Sequence, residues 1–530
     1  MWSALDIQLC FLYIAISQSE FLFLEMSEPF SPENSTAKDT LADKDILHLP
    51  PGQLAELSFR RLRESKTLER AAKSALYRSK WEAVNIKPRE IVTYKEFSQI
   101  PFITGREIRE AFDKNPVEDV VCSDAIVHWF STTGTTGTSK WIPVSQRDVE
   151  LFMEIRDRCY KLTPSTEGLK CWAISGPAPF AENGLAGFER VHAMMTHVKR
   201  EGVDISFTEV DREDSVNFAL DMKPSFIASS PSLAARFAEL FTERAPEVAR
   251  ERWRKQKSLR NLAAYWVTRF KKIHPKHLSK FDWGLFGGEP LEPYRQILRR
   301  EFGLEPYEIY MFTEFFCPFV ECRMHDGMHL WMDICLAEVI SELELDKENR
   351  DTAYTPQAIP LWQAEQGSRG ELVLTTFGEG LPLVRYRSGD LIEVVSVEPC
   401  QCGVTHPRIR VPRRSDHILC LGMIRFPVEQ LEEKLLAETA HGQAKRWQLR
   451  ITREDYRSKI IIQLEPSGEI NDKEGFRREI LKKLKELKIL GTGIENRVVL
   501  EPVVLLEERI SEEGRLVTKA GRVIYEEKVP

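Results

Sequence analysis

Residues 131–140 read STTGTTGTSK. The run offers almost no apolar area and cannot pack a core, but it is suited to wrapping an anion. Gly134 and Gly137 permit backbone turns closed to other residues, so that N–H groups converge. The hydroxyls of Ser131, Thr132, Thr133, Thr135, Thr136 and Thr138 add donors, and Lys140 adds charge. A nucleotide phosphate is the anion this chemistry suits. A Walker A loop, G-x-x-x-x-G-K-[ST], is excluded because Ser139 precedes Lys140 and Trp141 follows it. A dinucleotide fingerprint is excluded too, since no G-x-G-x-x-G spacing occurs. Taken alone, the run also fits a flexible surface loop.

Such a loop needs rigid elements around it. Helical spacing of apolar residues runs from about Leu54 to Ser79 and recurs over 147–163 and 231–245. Short apolar runs between them, CWAISG (171–176) and SFIASSPS (225–232), read as buried strands followed by turns. WGLFGGEPL (283–291) is a strand ending in a Gly-rich turn, and the helix PYRQILRREFGL (293–304) follows it. This alternation predicts an α/β fold with a mainly parallel sheet. The character changes near 413–430. There the order becomes helix (VEQLEEKLLAET), strand pair (WQLRITRED, SKIIIQLEP), helix and strand (RVVLEPVVLLEE). In the second helix Phe476, Ile480, Leu481, Leu484, Leu487 and Leu490 share one face. We expect an extension over 1–45, a large domain over 46–414, and a small α+β domain over 415–530. A polar hinge near Ser415–Asp416 would join the two domains.

The bulk properties exclude several classes. A hydrophobic content of 42% and a charged content of 29% describe an ordinary globular protein. A net charge of −7 argues against nucleic-acid binding driven by bulk charge. Ten cysteines scattered over 530 residues fit free or metal-bound thiols in a reducing compartment, hence a cytoplasmic location. The opening MWSALDIQLCFLYIAISQSEFLFLE is apolar, but Asp6, Gln8, Ser17, Gln18 and Glu20 interrupt it and no basic segment precedes it. It reads as a start-site extension or a loosely packed helix, not as a membrane anchor.

STTGTTGTSK resembles the phosphate loop of the adenylate-forming enzymes, the acyl- and aryl-CoA ligase superfamily, and further segments fit in the same order. FGGEPLEP (286–293) resembles the adenine-contacting turn of the phenylacetate–CoA ligase branch, and YMFTE (310–314) its aromatic-x-x-Thr-Glu motif. GELVLTTFGEGLPLVRYRSGDL (370–391) is similar to the strand–turn–strand that ends in that branch's ribose-binding aspartate. TKAGRV (518–523) resembles the stretch carrying the catalytic lysine. The opening LYRSKWEAVNIKP…IPFITGREIREAF (76–112) is similar as well, so the resemblance covers about residues 50–525.

The resemblance implies a large AMP-binding domain with mixed sheets and helices, and a small mobile one. It implies ATP, Mg²⁺ and coenzyme A as cofactors and a small-molecule carboxylic acid, aryl by analogy, as substrate. Forming an acyl adenylate brings a carboxylate onto the α-phosphate of ATP, two anions that repel, so charge must be neutralised and the groups aligned. By resemblance the 131–140 loop holds the departing pyrophosphate. Thr313 and Glu314 are catalytic, Glu314 as a Mg²⁺ ligand. Tyr310 offers a face to adenine, the backbone at Gly288 and Glu289 reads its edge, and Asp390 accepts from the ribose hydroxyls. Lys519 bridges the carboxylate and α-phosphate oxygens. Arg413 or Arg414 faces the ribose. Individually these residues have ordinary readings, Tyr310 as a core aromatic, Glu314 and Asp390 as caps, Lys519 as a solvated lysine.

Three departures stand out: Met311 replaces the usual glycine, PRRSDHILCLG replaces Gly-Arg-Ser-Asp-Asp at the hinge, and Thr518 replaces a glycine before the lysine. An adenylyltransferase or carrier-loading enzyme without coenzyme A, and a nucleotide-binding regulatory protein with lost catalysis, are the alternatives. Similar enzymes are commonly homodimers. The acyl pocket is expected around GPAPFAENGLAGFERVHAMM (176–195), with Phe180 and Phe188.

A second chemistry lies in ECRMHDGMH (321–329) and PCQCGVTH (399–406). Cys322, His329, Cys400 and Cys402 make a Cys₃His set suited to structural Zn²⁺, with Cys317, His325 and His406 as competing ligands.

Overall fold

The sequence pattern turns into structure from the first helix onward. The computed structural model describes residues 46–131, 141–164, 170–175, 204–209, 215–277, 279–312, 314–351, 353–414, 418–422, 424–508, 510 and 523–525, all within one unit spanning 44–530. The N-terminal extension, Thr132–Lys140, the 176–195 segment, Thr313, the 415–416 hinge and Lys519 lie outside the described residues.

Helix α1 (Pro51–Glu64) ends earlier than the apolar spacing predicts. Lys66 takes a left-handed φ of 54°, and the Ser65 hydroxyl donates to the Leu62 carbonyl at 2.9 Å. The rest of the expected helix becomes two short ones, Thr67–Ala71 and Arg78–Ala83, joined by turns. A two-residue strand, β1 (Ile103–Thr104), follows. Next come β2 (Ile126–Ser131) and β3 (Trp141–Ser145), antiparallel with Ser131 opposite Trp141. Helix α2 (Gln146–Leu162) leaves β3 through a capping box, in which the Ser145 side chain accepts from Asp148 N–H and Asp148 accepts from Ser145 N–H.

Strands β4 (Lys170–Ser175), β5 (Asp204–Glu209), β6 (Phe226–Ser229), β7 (Trp283–Gly287) and β8 (Glu305–Phe312) pair in parallel in the order β5-β4-β6-β7-β8. Helix α3 (Pro231–Lys255) runs ten residues beyond the expected end. It is followed by α4 (Leu259–Phe270) and α5 (Arg295–Phe302), the latter closed by Gly303 in the left-handed region. Trp172, Phe237, Phe241, Phe286 and Tyr294 form the core under these strands. The rings of Trp172 and Phe237 meet edge-on at 4.5 Å, an arrangement that favours the quadrupoles of both.

Beyond β8 the sheet ceases to be parallel, which corrects the expectation of a mainly parallel one. Strands β9 (Phe315–Glu321), β10 (Met328–His329), β11 (Cys335–Ser341), β12 (Ala358–Pro360), β13 (Arg369–Thr376), β14 (Tyr386–Ser396) and β15 (Arg408–Arg414) continue it. Their order after β8 is β9-β10-β15-β14-β13-β11-β12, each pair antiparallel, with β1 added in parallel to β14. The reason lies in the connections. A parallel pair needs a crossover of a dozen or more residues, whereas the paired consecutive strands β8–β9, β9–β10, β13–β14 and β14–β15 are joined by 2, 6, 9 and 11 residues, too few for one. On the inner side Arg158 and Asp333, 1% and 0% exposed, form a two-pronged ion pair of 2.7 and 2.8 Å. Burial alone would raise the Asp333 carboxyl, but the Arg158 guanidinium overrides it and holds the group below its ordinary range.

The C-terminal part opens with the hairpin β16 (Ile418–Leu421) and β17 (Ile424–Pro427) and helix α6 (Val428–Leu436). Strands β18 (Ala444–Glu454), β19 (Arg457–Pro466), β20 (Val503–Leu506) and β21 (Val523–Tyr525) form a separate sheet in the order β20-β19-β18-β21. The expected long helix divides into α7 (Lys473–Lys485) and α8 (Lys488–Glu495). Phe476, Ile480 and Leu484 face a core with Trp447, Leu449, Ile460 and Ile462, and Leu490 joins it from α8. Strand β21 adds an edge that the αββαβ pattern omitted.

Candidate active site

The residues on either side of the Thr/Gly run lie on antiparallel strands, with Ser131 of β2 opposite Trp141 of β3. Its exit is tied down. Besides capping α2, the Asp148 carboxylate accepts from the N–H groups of Glu379 at 3.0 Å and Gly380 at 3.2 Å. Ile142 of β3 shares one core with Leu381, Leu383, Val384 and Tyr386, and Phe312 packs against it. The base of the candidate phosphate loop is therefore fixed to the segments that carry YMFTE and RYRSGD.

Those segments meet. The Tyr310 hydroxyl, at the end of β8, donates to Asp390 Oδ2 at 2.6 Å. The Tyr386 hydroxyl donates to Glu314 Oε1 at 2.8 Å. Asp390 is 6% exposed and stands opposite Arg414 in the β14–β15 register, with Arg413 opposite Leu391. The Ser388 hydroxyl donates to the Leu372 carbonyl at 2.7 Å and accepts from Asp390 N–H at 3.1 Å, which fixes the backbone there. The Tyr310–Asp390 bond was not foreseen from sequence, because 80 residues separate the partners.

Two nearby cations are committed to structure. Arg385 clasps Glu338 through two bonds of 3.0 Å, donates to the carbonyls of Ser98 and Ile100, and lies 4.1 Å from the Phe102 ring centroid. Arg387 pairs with Glu371 at 2.6 Å and Glu348 at 2.6 Å.

The FGGEPLEP turn starts at the end of β7. Gly288 has φ +88° with open space around its missing Cβ, so the backbone conformation itself requires glycine. The Glu289 side chain does not project into a cleft. It accepts from Ser232 N–H at 2.8 Å, capping α3, and from the Tyr294 hydroxyl at 3.0 Å. Leu291 N–H donates to Glu308 at 3.1 Å. Burial, with Glu321 alongside, pushes the Glu308 carboxyl up to about 7. The C-terminal part reaches this turn: Arg453 lies 4.7 Å from the Tyr294 ring centroid, and Tyr456 and Arg457 both donate to Glu239 of α3.

A second cluster forms where the β9–β10 hairpin meets the turn before β15. One ligand atom from each of Cys322, His329, Cys400 and Cys402 lies within 4.8 Å of all the others. Cys322 Sγ and Cys400 Sγ are 3.8 Å apart, and Cys402 Sγ and His329 Nε2 are 3.5 Å apart. Zinc bonds of about 2.3 Å to sulfur and about 2.0 Å to nitrogen give tetrahedral edges of about 3.8 and about 3.5 Å, so the donor set fits. Met324 N–H points at Cys322 Sγ and Cys402 N–H at Cys400 Sγ, as suits thiolates. A hydrogen bond from Cys322, with His329 adjacent, holds the Cys402 thiol down at about 3. His329 Nδ1 lies 3.3 Å from the His406 carbonyl, which leaves Nε2 for a metal. The competing ligands are engaged elsewhere. His325 pairs with Glu321 and Glu305, His406 Nδ1 accepts from Met332 N–H, and the Cys317 thiol is buried outside the cluster.

No family model matches the chain, and no curated protein matches it in sequence. Among solved structures it is similar to 2-hydroxyisobutyryl-CoA ligase. Against that ligase in complex with 2-HIB-AMP and CoA in the thioesterification state, the TM-score is 0.60 at 20% identity, over 94% of this chain and 95% of that one. An open conformation of the same ligase with 2-HIB-AMP and CoA gives 0.53 at 20% identity, over 94% and 97%. Its postadenylation state with 2-HIB-AMP gives 0.52 at 20% identity, over 94% and 96%.

Proposed function

We propose that this chain, which has the α/β fold of the adenylate-forming enzymes, is an ATP-dependent ligase that activates a carboxylic acid as its acyl adenylate. The observation that carries the reading is the Tyr310–Asp390 bond of 2.6 Å together with the Tyr386–Glu314 bond of 2.8 Å, on segments packed against the strand that follows the 131–140 run. Tyr310 presents its ring to adenine while its hydroxyl holds Asp390 in place for the ribose hydroxyls. The Gly288 turn leaves backbone groups for the adenine edge, and Arg414 stands on the ribose side. The loop from Ser131 through Lys140 grips pyrophosphate. Glu314 supplies a carboxylate for Mg²⁺, oriented by Tyr386, and Mg²⁺ neutralises phosphate charge when bound. Lys519 compensates charge between acid and α-phosphate.

The acyl group then passes to the thiol of coenzyme A. In support, two of the three structures of 2-hydroxyisobutyryl-CoA ligase contain its acyl adenylate together with CoA, and the TM-score is higher for its thioesterification state (0.60) than for the other two (0.53 and 0.52). A large domain (46–414) and a small one (415–530) turning about the hinge give each half-reaction its own geometry. Tyr456 and Arg457 on Glu239 hold the small part in its present orientation. An aryl acid is the substrate class to test first. A screen of aryl, fatty and hydroxy acids for pyrophosphate release identifies the acid, and mass spectrometry with and without coenzyme A separates a thioester product from a free adenylate.

The Cys₃His cluster is proposed to hold one structural Zn²⁺. It lies at a strand junction and ties the β9–β10 hairpin to the turn before β15. Metal analysis is expected to find about one zinc per chain, and stripping it is expected to lower the melting temperature by several degrees or more. Content below about 0.2 per chain contradicts the assignment.

A further inference from the structure

Helix α4 turns its apolar side outward. Leu259, Ala263, Trp266 and Phe270 recur at helical spacing, with Val267 beside them, yet the helix has no buried residue. Leu259 is 87% exposed, Phe270 77%, Trp266 51% and Val267 47%. The Trp266 and Phe270 rings lie parallel, 6.1 Å between centroids, as one flat apolar plate. A surface helix ordinarily points such a stripe at the core.

The plate is rigidly displayed. Asn261 donates to the carbonyls of Arg252 and Gln256, pinning the start of α4 to the end of α3. Arg252 in turn bonds Asp221 at 2.9 Å, and Ile273 packs into the core just after α4. Around the plate lies a concentration of positive charge. Residues 250–280 hold eleven lysines and arginines against one carboxylate, Glu251, in a chain whose net charge is −7. Arg254, Lys255, Arg260, Lys271 and Lys272 are exposed and make no ion pair among the described residues.

We infer that α4 and the basic turns flanking it form a docking surface for an anionic lipid bilayer. The aromatic and aliphatic side chains enter the headgroup boundary and the cations contact lipid phosphates. Charge complementarity selects this occupant. A second copy of the chain would set one cationic rim against an identical one in a two-fold contact. Nucleic acid would satisfy the cations but would leave Leu259 and Val267 without a stacking partner. With 12 residues, α4 is too short to cross a bilayer, so its contact is peripheral.

Co-sedimentation of the full chain with lipid vesicles tests this inference independently of the ligase reading. Binding is expected to vesicles of equal phosphatidylcholine and phosphatidylglycerol, weak binding to phosphatidylcholine alone, and loss of binding at high salt. Each cation removed is worth about fivefold, so K271Q/K272Q is expected to weaken partitioning by about 25-fold, and W266A/F270A by tenfold or more. All four side chains are exposed, so the melting temperature of both variants should match that of the parent chain. Failure to bind anionic vesicles overturns the inference. Binding that both variants retain also overturns it, and assigns the lipid contact elsewhere, as to the apolar residues 1–25. A dimer abolished by W266A/F270A, or binding of an RNA oligonucleotide in place of vesicles, contradicts it as well.

Discussion

Lys519→Ala is expected to slow formation of the acyl adenylate by about 10²–10³-fold while leaving the fold intact, because a preorganised charge at the reacting phosphate typically contributes that much. Thioester formation from a supplied acyl adenylate should proceed at the parent rate, since the role proposed for the lysine lies in the first half-reaction. The two rates, measured separately in a single turnover, decide the matter. Equal slowing of both would place Lys519 in binding, and full adenylation activity would remove its assigned role.

Asp390→Ala carries the second large effect. Its carboxylate is assigned two charge-assisted hydrogen bonds to the ribose, each worth about 1.5–3 kcal/mol, so kcat/KM for ATP should fall by about 10²–10⁴-fold. The Tyr310 hydroxyl loses its 2.6 Å partner in this variant, and a stability loss of about 1–3 kcal/mol is expected. Tyr310→Phe separates the two contributions. It keeps the ring for adenine and removes only the bond that orients Asp390, so kcat/KM should drop by about tenfold or less. If Asp390→Ala melts like the parent chain and uses ATP equally well, the ribose assignment is wrong.

Much of the site was legible because its motifs are local. The Gly-rich turn after β7, the hydroxyl-rich 131–140 run and the segment ending at Asp390 each declare themselves within a few residues. The four metal-binding candidates were also found by type and spacing, but only the structure separates them from Cys317, His325 and His406. What escaped the sequence depends on distant partners. Glu289 sits in the FGGEPLEP turn, yet its side chain caps α3 and accepts from the Tyr294 hydroxyl. Arg385 and Arg387 have the composition of phosphate ligands and are spent on Glu338, Glu371 and Glu348.

Element boundaries failed for the same reason. Nothing in the periodicity around Ser65–Lys66 or Leu487 announces the breaks that divide the expected helices, since tertiary packing chooses where a marginal helix ends. The alternation of strands and helices missed the antiparallel half of the sheet, which only the mixed sheets implied by the resemblance allowed for, because apolar runs reveal strands but not the direction of their partners. No element was expected over Leu259–Phe270, where α4 lies. Its amphipathic pattern is that of a core-facing helix, and only its exposure shows that the apolar side faces out.

The central claim is that this chain joins a carboxylic acid to AMP. Exchange of labelled pyrophosphate into ATP, measured with Mg²⁺ across a panel of acids, tests it most directly. We expect exchange that requires one class of acid and disappears in Lys519→Ala. Tight binding of ATP with no exchange for any acid would contradict the account and leave a nucleotide-binding protein without ligase chemistry.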